Sequence, residues 1–149
     1  MSILNKTFNT ASKEETQALA ISLSKSFRPG DIVFLCGELG SGKTTFVQGL
    51  ARGLGINRAV RSPSFIVANE YTSKKAKLYH IDLYRLASKD IGLFGLEDYL
   101  YCDAVCAVEW AEKIEKSVKP DYRIEFKWVD ENKRKIVIKK RRKKPAPKG

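Results

Sequence analysis

Ile32-Val33-Phe34-Leu35-Cys36-Gly37-Glu38-Leu39-Gly40-Ser41-Gly42-Lys43-Thr44-Thr45-Phe46-Val47 is the stretch on which the fold turns. Its middle, Gly37 to Thr44, reads G-x-x-x-x-G-K-T, the spacing of a phosphate-binding loop. Glycines let successive backbone N–H groups point inward at phosphate oxygens, and a following helix adds its unsatisfied N-terminal amides and positive dipole end. Lys43 supplies a full charge for the β- and γ-phosphates, and the Thr44 hydroxyl is of the type that ligates Mg²⁺. The flanks supply the context the motif requires. Ile32–Cys36 is an unbroken apolar run, as expected of a strand buried on both faces of a parallel sheet. Phe46, Val47, Leu50, Ala51 and Leu54 recur at helical spacing, with Gly55 at a C-cap position.

Moving outward, 149 residues suit one domain with a normal core, and 43% hydrophobic content supports a folded globule. The net charge of +11 is uneven. Ten of the 28 Lys and Arg lie after Asn132, where no acid occurs, leaving 18 basic against 17 acidic side chains before it. The body is near neutral, and the basicity belongs to the last strand and tail. No apolar stretch approaches membrane-spanning length and the N-terminus lacks a signal-peptide core, so the chain is expected in the cytoplasm. Cys36, Cys102 and Cys106 are odd in number and scattered, which argues for small core residues over disulfides or a zinc site.

In chain order, residues 3–8 read as a short edge strand, and Ser12-Lys13-Glu14-Glu15 as a capping box opening a helix with Leu19, Leu23 and Phe27 on one stripe. Beyond the loop's helix, Arg61-Ser62-Pro63-Ser64-Phe65 puts the Ser64 hydroxyl in an extended segment. Phe65–Tyr71 and Lys77–Leu83 read as a hairpin, with Asp82 near the end of its second strand, where α/β folds place ligand-binding groups. Gly95–Leu100 reads as a short helix. Ala104–Val108 is a second two-sided strand closing on Glu109-Trp110, the Walker B form in which the acid meets the metal or its water. A helix over Ala111–Ser117 and a hairpin of Tyr122–Val129 with Arg134–Lys139 complete the domain. The expectation is an α/β, P-loop NTPase-like three-layer fold over residues 1–139. It has a mostly parallel central sheet, an inserted hairpin and a C-terminal hairpin, and a disordered basic tail follows at 140–149.

Asp82 and Glu109 are the two acids for the site; hydrolysis needs Mg²⁺ held and a water oriented, and spacing alone leaves open which acid does which. His80, the single histidine, has no cysteine or histidine partners for a transition metal and reads as packed or hydrogen-bonded. Trp110 reads as core rather than as a lining residue.

Together these residues resemble the TsaE (YjeE) family, P-loop ATPases of bacterial tRNA threonylcarbamoyladenosine biosynthesis. The likeness covers about residues 10–138. It rests on Gly37–Thr45, Ser62-Pro63-Ser64-Phe65, Asn69-Glu70-Tyr71, Leu78-Tyr79-His80-Ile81-Asp82-Leu83-Tyr84-Arg85, Gly95-Leu96-Glu97-Asp98-Tyr99 and Glu109-Trp110, in the family's order. The resemblance implies an ATPase working with TsaB and TsaD in threonylcarbamoyl transfer to the adenosine beside the anticodon of tRNA. It implies phosphates cradled by Gly40, Ser41, Gly42, Lys43, Thr44 and Thr45, and Mg²⁺ on Thr44 and Glu109. It further implies Asp82 acting on the attacking water or the metal's outer shell, adenine near Thr10 and Thr16, and Arg134 near the base. The family usually carries threonine where this chain has Ser64; the hydroxyl for a switch-like contact is kept and the methyl is lost.

Other classes share parts of this pattern. A small-molecule or nucleoside kinase would use the same loop but needs a second pocket and an arginine-bearing lid, and only Arg85 lies between the two acids. A GTPase would read guanine with Asn-Lys-x-Asp, and Asn132-Lys133-Arg134-Lys135 lacks the aspartate. An RNA-binding module acting through the tail lacks aromatic residues interleaved among the cations, so a tRNA contact by the tail is expected as an addition only.

Overall fold

The computed structural model describes residues 3–38, 40–60, 68–87 and 95–141, with only the backbone of Ile3 and Leu4. Seven strands form one sheet: β1 Ile3–Thr10, β2 Ile32–Cys36, β3 Ala68–Thr72, β4 Lys77–Asp82, β5 Val105–Glu109, β6 Tyr122–Trp128 and β7 Arg134–Arg141. Two α-helices, α1 Lys13–Ser24 and α2 Lys43–Gly53, and two 3-10 turns, Leu96–Asp98 and Ala111–Ile114, accompany them among the described residues.

The sheet order is β1-β7-β6-β2-β5-β4-β3. Strands β6, β2, β5 and β4 run parallel in the centre, and β1, β7 and β3 attach antiparallel at the flanks. Each expected hairpin therefore gives the parallel centre one strand and the flank another, although Phe65, Ile66 and Val67 of the first lie outside the described residues. The runs read as two-sided, β2 and β5, are buried at every position, because helices lie over one face and turns over the other.

One core lies beneath α1 and α2, joining Val33, Leu35, Phe46, Val47, Leu50, Leu78, Ala107, Ile124 and Ile136. The other lies beneath the 3-10 turns, joining Ile32, Phe34, Ile81, Val108, Leu96 and Ile114. Among the described residues the third layer is thus built of turns. Where the sequence predicts a helix over Ala111–Ser117, a 3-10 turn over Ala111–Ile114 forms, because Trp110 enters it in a left-handed conformation (φ 58°).

α1 begins as its capping box requires: Ser12 Oγ accepts from the Glu15 N–H at 3.1 Å. Glu15 reaches back to the N–H of Ala11 at 3.3 Å, one residue before the cap. Its buried residues are Thr16, Ala20 and Ser24, so the stripe expected at Leu19 and Leu23 is only partly buried and the innermost line is small. That line meets the small residues of α2: a Cβ on Gly49 would lie 2.7 Å from Gln17 Cα and 2.9 Å from Ala20 Cβ, and one on Gly53 would lie 2.6 Å from Ser24 Cβ. α2 closes as a Schellman motif, with Gly55 N–H on the Arg52 carbonyl and Ile56 N–H on that of Ala51, at 3.0 and 2.9 Å.

β7 runs two residues beyond the strand end at Lys139 read from the sequence. Arg141 pairs with Ile3, and its N–H donates to the Asp121 carbonyl at 2.9 Å. The tail beyond it, 142–149, lies outside the described residues. Burial pushes the Cys36 thiol up to about 12 and raises that of Cys106 as well, in keeping with inert core cysteines.

Candidate functional site

The phosphate loop leaves the end of β2 and enters α2 through Gly42, the helix N-cap, whose φ of 106° only glycine adopts without strain. Gly42 offers no side-chain cap, so the first amides of α2 keep their donors directed into the loop. Ser41 Oγ is buried inside the loop without a hydrogen-bond partner among the described residues. A concave run of amides plus an orphaned buried hydroxyl suits an anion with several acceptor oxygens. Thr44 and Thr45 stand half-buried on the first turn of α2.

Lys43 is buried, and its Nζ donates to the Gly37 carbonyl at 2.6 Å while lying 4.1 Å from the centre of the Trp110 ring. Trp110, read as core from sequence, does pack partly buried against the core beneath the 3-10 turns, and it walls the site as well. Its left-handed backbone costs about 1–3 kcal/mol, and that geometry turns the indole at the end of β5 toward the loop. On its outer side the indole packs against Tyr84 at 4.9 Å between ring centres.

Asp82 and Glu109 end β4 and β5 as direct register partners, and Leu35 pairs with Glu109 on the other side. Both acids, the loop and Lys43 thus gather at the carboxyl ends of adjacent parallel strands, where open α/β sheets bind ligands. Glu109 is buried, its Oε2 in contact with Nε2 of the fully buried His80 at 2.5 Å. Asp82 is half-buried, and its Oδ1 accepts from the Tyr84 N–H at 2.9 Å. A buried carboxylate and a threonine hydroxyl are the hard oxygen donors that Mg²⁺ takes alongside phosphate oxygens.

The remaining candidates converge from the far flank. Thr10 and Thr16 are buried and hydrogen-bond each other at 2.8 Å. Thr10 pairs in register with Arg134, and Arg134 Nη2 donates to the Gly40 carbonyl at 3.0 Å. Ser64 lies outside the described residues.

Lys113 is the participant the sequence did not reveal. Its Nζ donates to the carbonyls of Leu83, Tyr84 and Leu86 at 2.7, 2.8 and 2.6 Å, pinning the turn that follows Asp82. A lone lysine in an amphipathic stretch carries no signal of such a role.

The loop geometry and the sheet that presents it define a P-loop protein. The family model of "Threonylcarbamoyl adenosine biosynthesis protein TsaE" matches residues 10–138. The protein named tRNA threonylcarbamoyladenosine biosynthesis protein TsaE of Bacillus subtilis (strain 168) is 43% identical over 119 residues, covering 80% of this chain and 74% of its own. The protein of that name from Aquifex aeolicus is 43% identical over 130 residues, 85% and 90% of the two chains. A solved structure described as Bacillus subtilis YdiB superposes with a TM-score of 0.79 at 36% identity, over 94% of this chain and 88% of the other. The chain belongs to the TsaE family.

Proposed function

We propose that this chain is a Mg²⁺-dependent ATPase that supports threonylcarbamoyl transfer to the adenosine beside the anticodon of tRNA, working in the cytoplasm with TsaB and TsaD. The observation that carries the reading is the meeting of the phosphate loop with two carboxylates at the ends of β4 and β5. Names of relatives across 37–43% identity supply the pathway.

In this reading Gly37, Gly40, Ser41, Gly42 and Thr45 wrap the phosphates with amides and hydroxyls. Lys43 swings from the Gly37 carbonyl to the γ-phosphate. Trp110 keeps the ammonium at the mouth of the loop while its face offsets part of the charge. Thr44 and Glu109 hold Mg²⁺, which when bound neutralises charge developing on the phosphate oxygens. Asp82, half-buried at the neighbouring strand end, orients the attacking water, and Ser64 supplies a hydroxyl toward the γ-phosphate. Thr10, Thr16 and Arg134 face the adenosine end of the nucleotide; Arg134 braces the loop through the Gly40 carbonyl.

Steady-state phosphate release from ATP by the purified chain tests this, alone and with TsaB, TsaD and tRNA. Wild type should turn over slowly alone and faster in the complex. Lys43→Ala should lose about 100-fold or more, the scale of removing one charge-stabilising donor from a transition state. Equal turnover by Lys43→Ala, or phosphoryl transfer to a small acceptor, overturns it.

A further inference from the structure

We propose that His80 is a positioning residue that fixes the Glu109 carboxylate for the metal. This rests on the reading of Glu109 as the metal acid. His80 stands on β4 opposite Ala107 of β5. Glu109, two residues beyond Ala107, is therefore its diagonal neighbour on the same sheet face, within reach of a long side chain. That is the face under α2, since Leu78 and Ala107 belong to the core beneath the helices.

The imidazole is fully buried, and Nε2 touches Glu109 Oε2 at 2.5 Å. Its other nitrogen, Nδ1, is buried with no hydrogen-bond partner among the described residues. A carboxylate oxygen demands a donor, so Nε2–H donates to Glu109 Oε2. An apolar side chain of this size would fill the space between the strands without leaving a polar atom unsatisfied. Among the described residues, the polar work His80 does is to hold one oxygen of Glu109. With Oε2 tied back, the rotamer of a flexible glutamate is set before any ligand arrives, and Oε1 is left for the metal or its water. Carboxylate ligands of metals are commonly held this way, and loss of the holding group costs about 10–100-fold in metal affinity or activity.

The test measures binding of a fluorescent ATP analogue as Mg²⁺ is titrated, with a parallel arm in EDTA. Proteins are wild type, His80→Leu, His80→Gln, Glu109→Gln and the Glu109→Gln/His80→Leu double variant. The Mg²⁺ concentration at half-maximal binding should rise about 10-fold or more in His80→Leu. It should stay near wild type in His80→Gln, whose amide nitrogen can occupy the position of Nε2. Affinity in EDTA should be the same in wild type, His80→Leu and His80→Gln, and His80→Leu should add nothing once Glu109 is glutamine. Should His80→Leu fail to fold, His80→Asn carries the comparison, its amide too short to replace Nε2. A folded His80→Leu with the wild-type Mg²⁺ midpoint overturns the proposal, as does an equal shift in the Glu109→Gln background. Wild-type binding that ignores Mg²⁺ overturns the metal reading of Glu109, and this proposal with it. Normal wild-type Mg²⁺ dependence with an unshifted His80→Leu overturns the positioning role alone.

Discussion

Lys113 shows how one side chain can set the shape of a site it does not enter. An ammonium has three donors, and this one spends them on the carbonyls of Leu83, Tyr84 and Leu86. The turn so fixed carries Tyr84, whose N–H binds Asp82 and whose ring backs Trp110; Trp110 in turn faces Lys43. Charged hydrogen bonds are worth about 1.5–3 kcal/mol, and in a domain of this size about 1 kcal/mol moves the melting point by roughly 2–4 °C. Lys113→Met should therefore melt several degrees lower. It should also hydrolyse ATP more slowly at nearly unchanged nucleotide affinity, because the loop and α2 are untouched. A melting scan and separate kcat and KM values check this; a lower melting point with unchanged kcat would make Lys113 a purely structural clamp. Residue pattern announces Lys43, Asp82 and Glu109, since their motifs are local. It is silent on Lys113 because its partners lie 27–30 positions upstream and are backbone atoms, which leave no trace in side-chain spacing.

At the level of elements, the α1–α2 contact is the tightest joint in the molecule's helical layer. Gly49 and Gly53 let α2 settle on Ala20 and Ser24. An alanine in a helix normally gains about 1 kcal/mol over glycine, yet overpacking costs about 1–3 kcal/mol. At Gly49 the new methyl meets backbone atoms of Gln17, which cannot rotate away. The penalty should win: Gly49→Ala should unfold at lower temperature and lower denaturant concentration than wild type, and a rise in either midpoint contradicts the close packing. The helices themselves, the capping box, the two buried strands and both hairpins are legible because each is written in a short-range period. Strand order is not: β2 between β5 and β6 is decided by pairings across the whole chain. The turn in place of a helix after Trp110 escaped for a related reason. Ala111–Ser117 has helical composition, and the left-handed entry at Trp110 that cuts it short serves the loop rather than local propensity.

For the molecule as a whole, the boundary between sheet and tail matters most to experiment. Lys139 pairs with Asn5 and bridges to Glu125 at 3.2 Å, and Arg141 approaches Asp121 at 3.5 Å. A cut after Ile138 would strip these contacts from β1 and β6; a cut after Arg141 spares them and removes only Arg142, Lys143, Lys144 and Lys148 among the cations. If those four touch tRNA phosphates, removing them should flatten the plot of log affinity against log salt by about 0.7–0.9 per lost contact. Hydrolysis by the isolated chain should not change. An unaltered slope would leave the tail without a role in RNA binding. The register of β1 with β7 adds a geometric consequence. Thr10 and Arg134 meet beside the phosphate loop, whereas Ile3 and Arg141 meet at the other end of the same ladder, about 24 Å away at strand rise. Ile3 and Arg141, the first and last described residues, therefore lie side by side at the pole opposite the phosphate loop. A tether at either one, whether a tag on a sensor surface or a fused protein, holds the molecule with its working end turned outward.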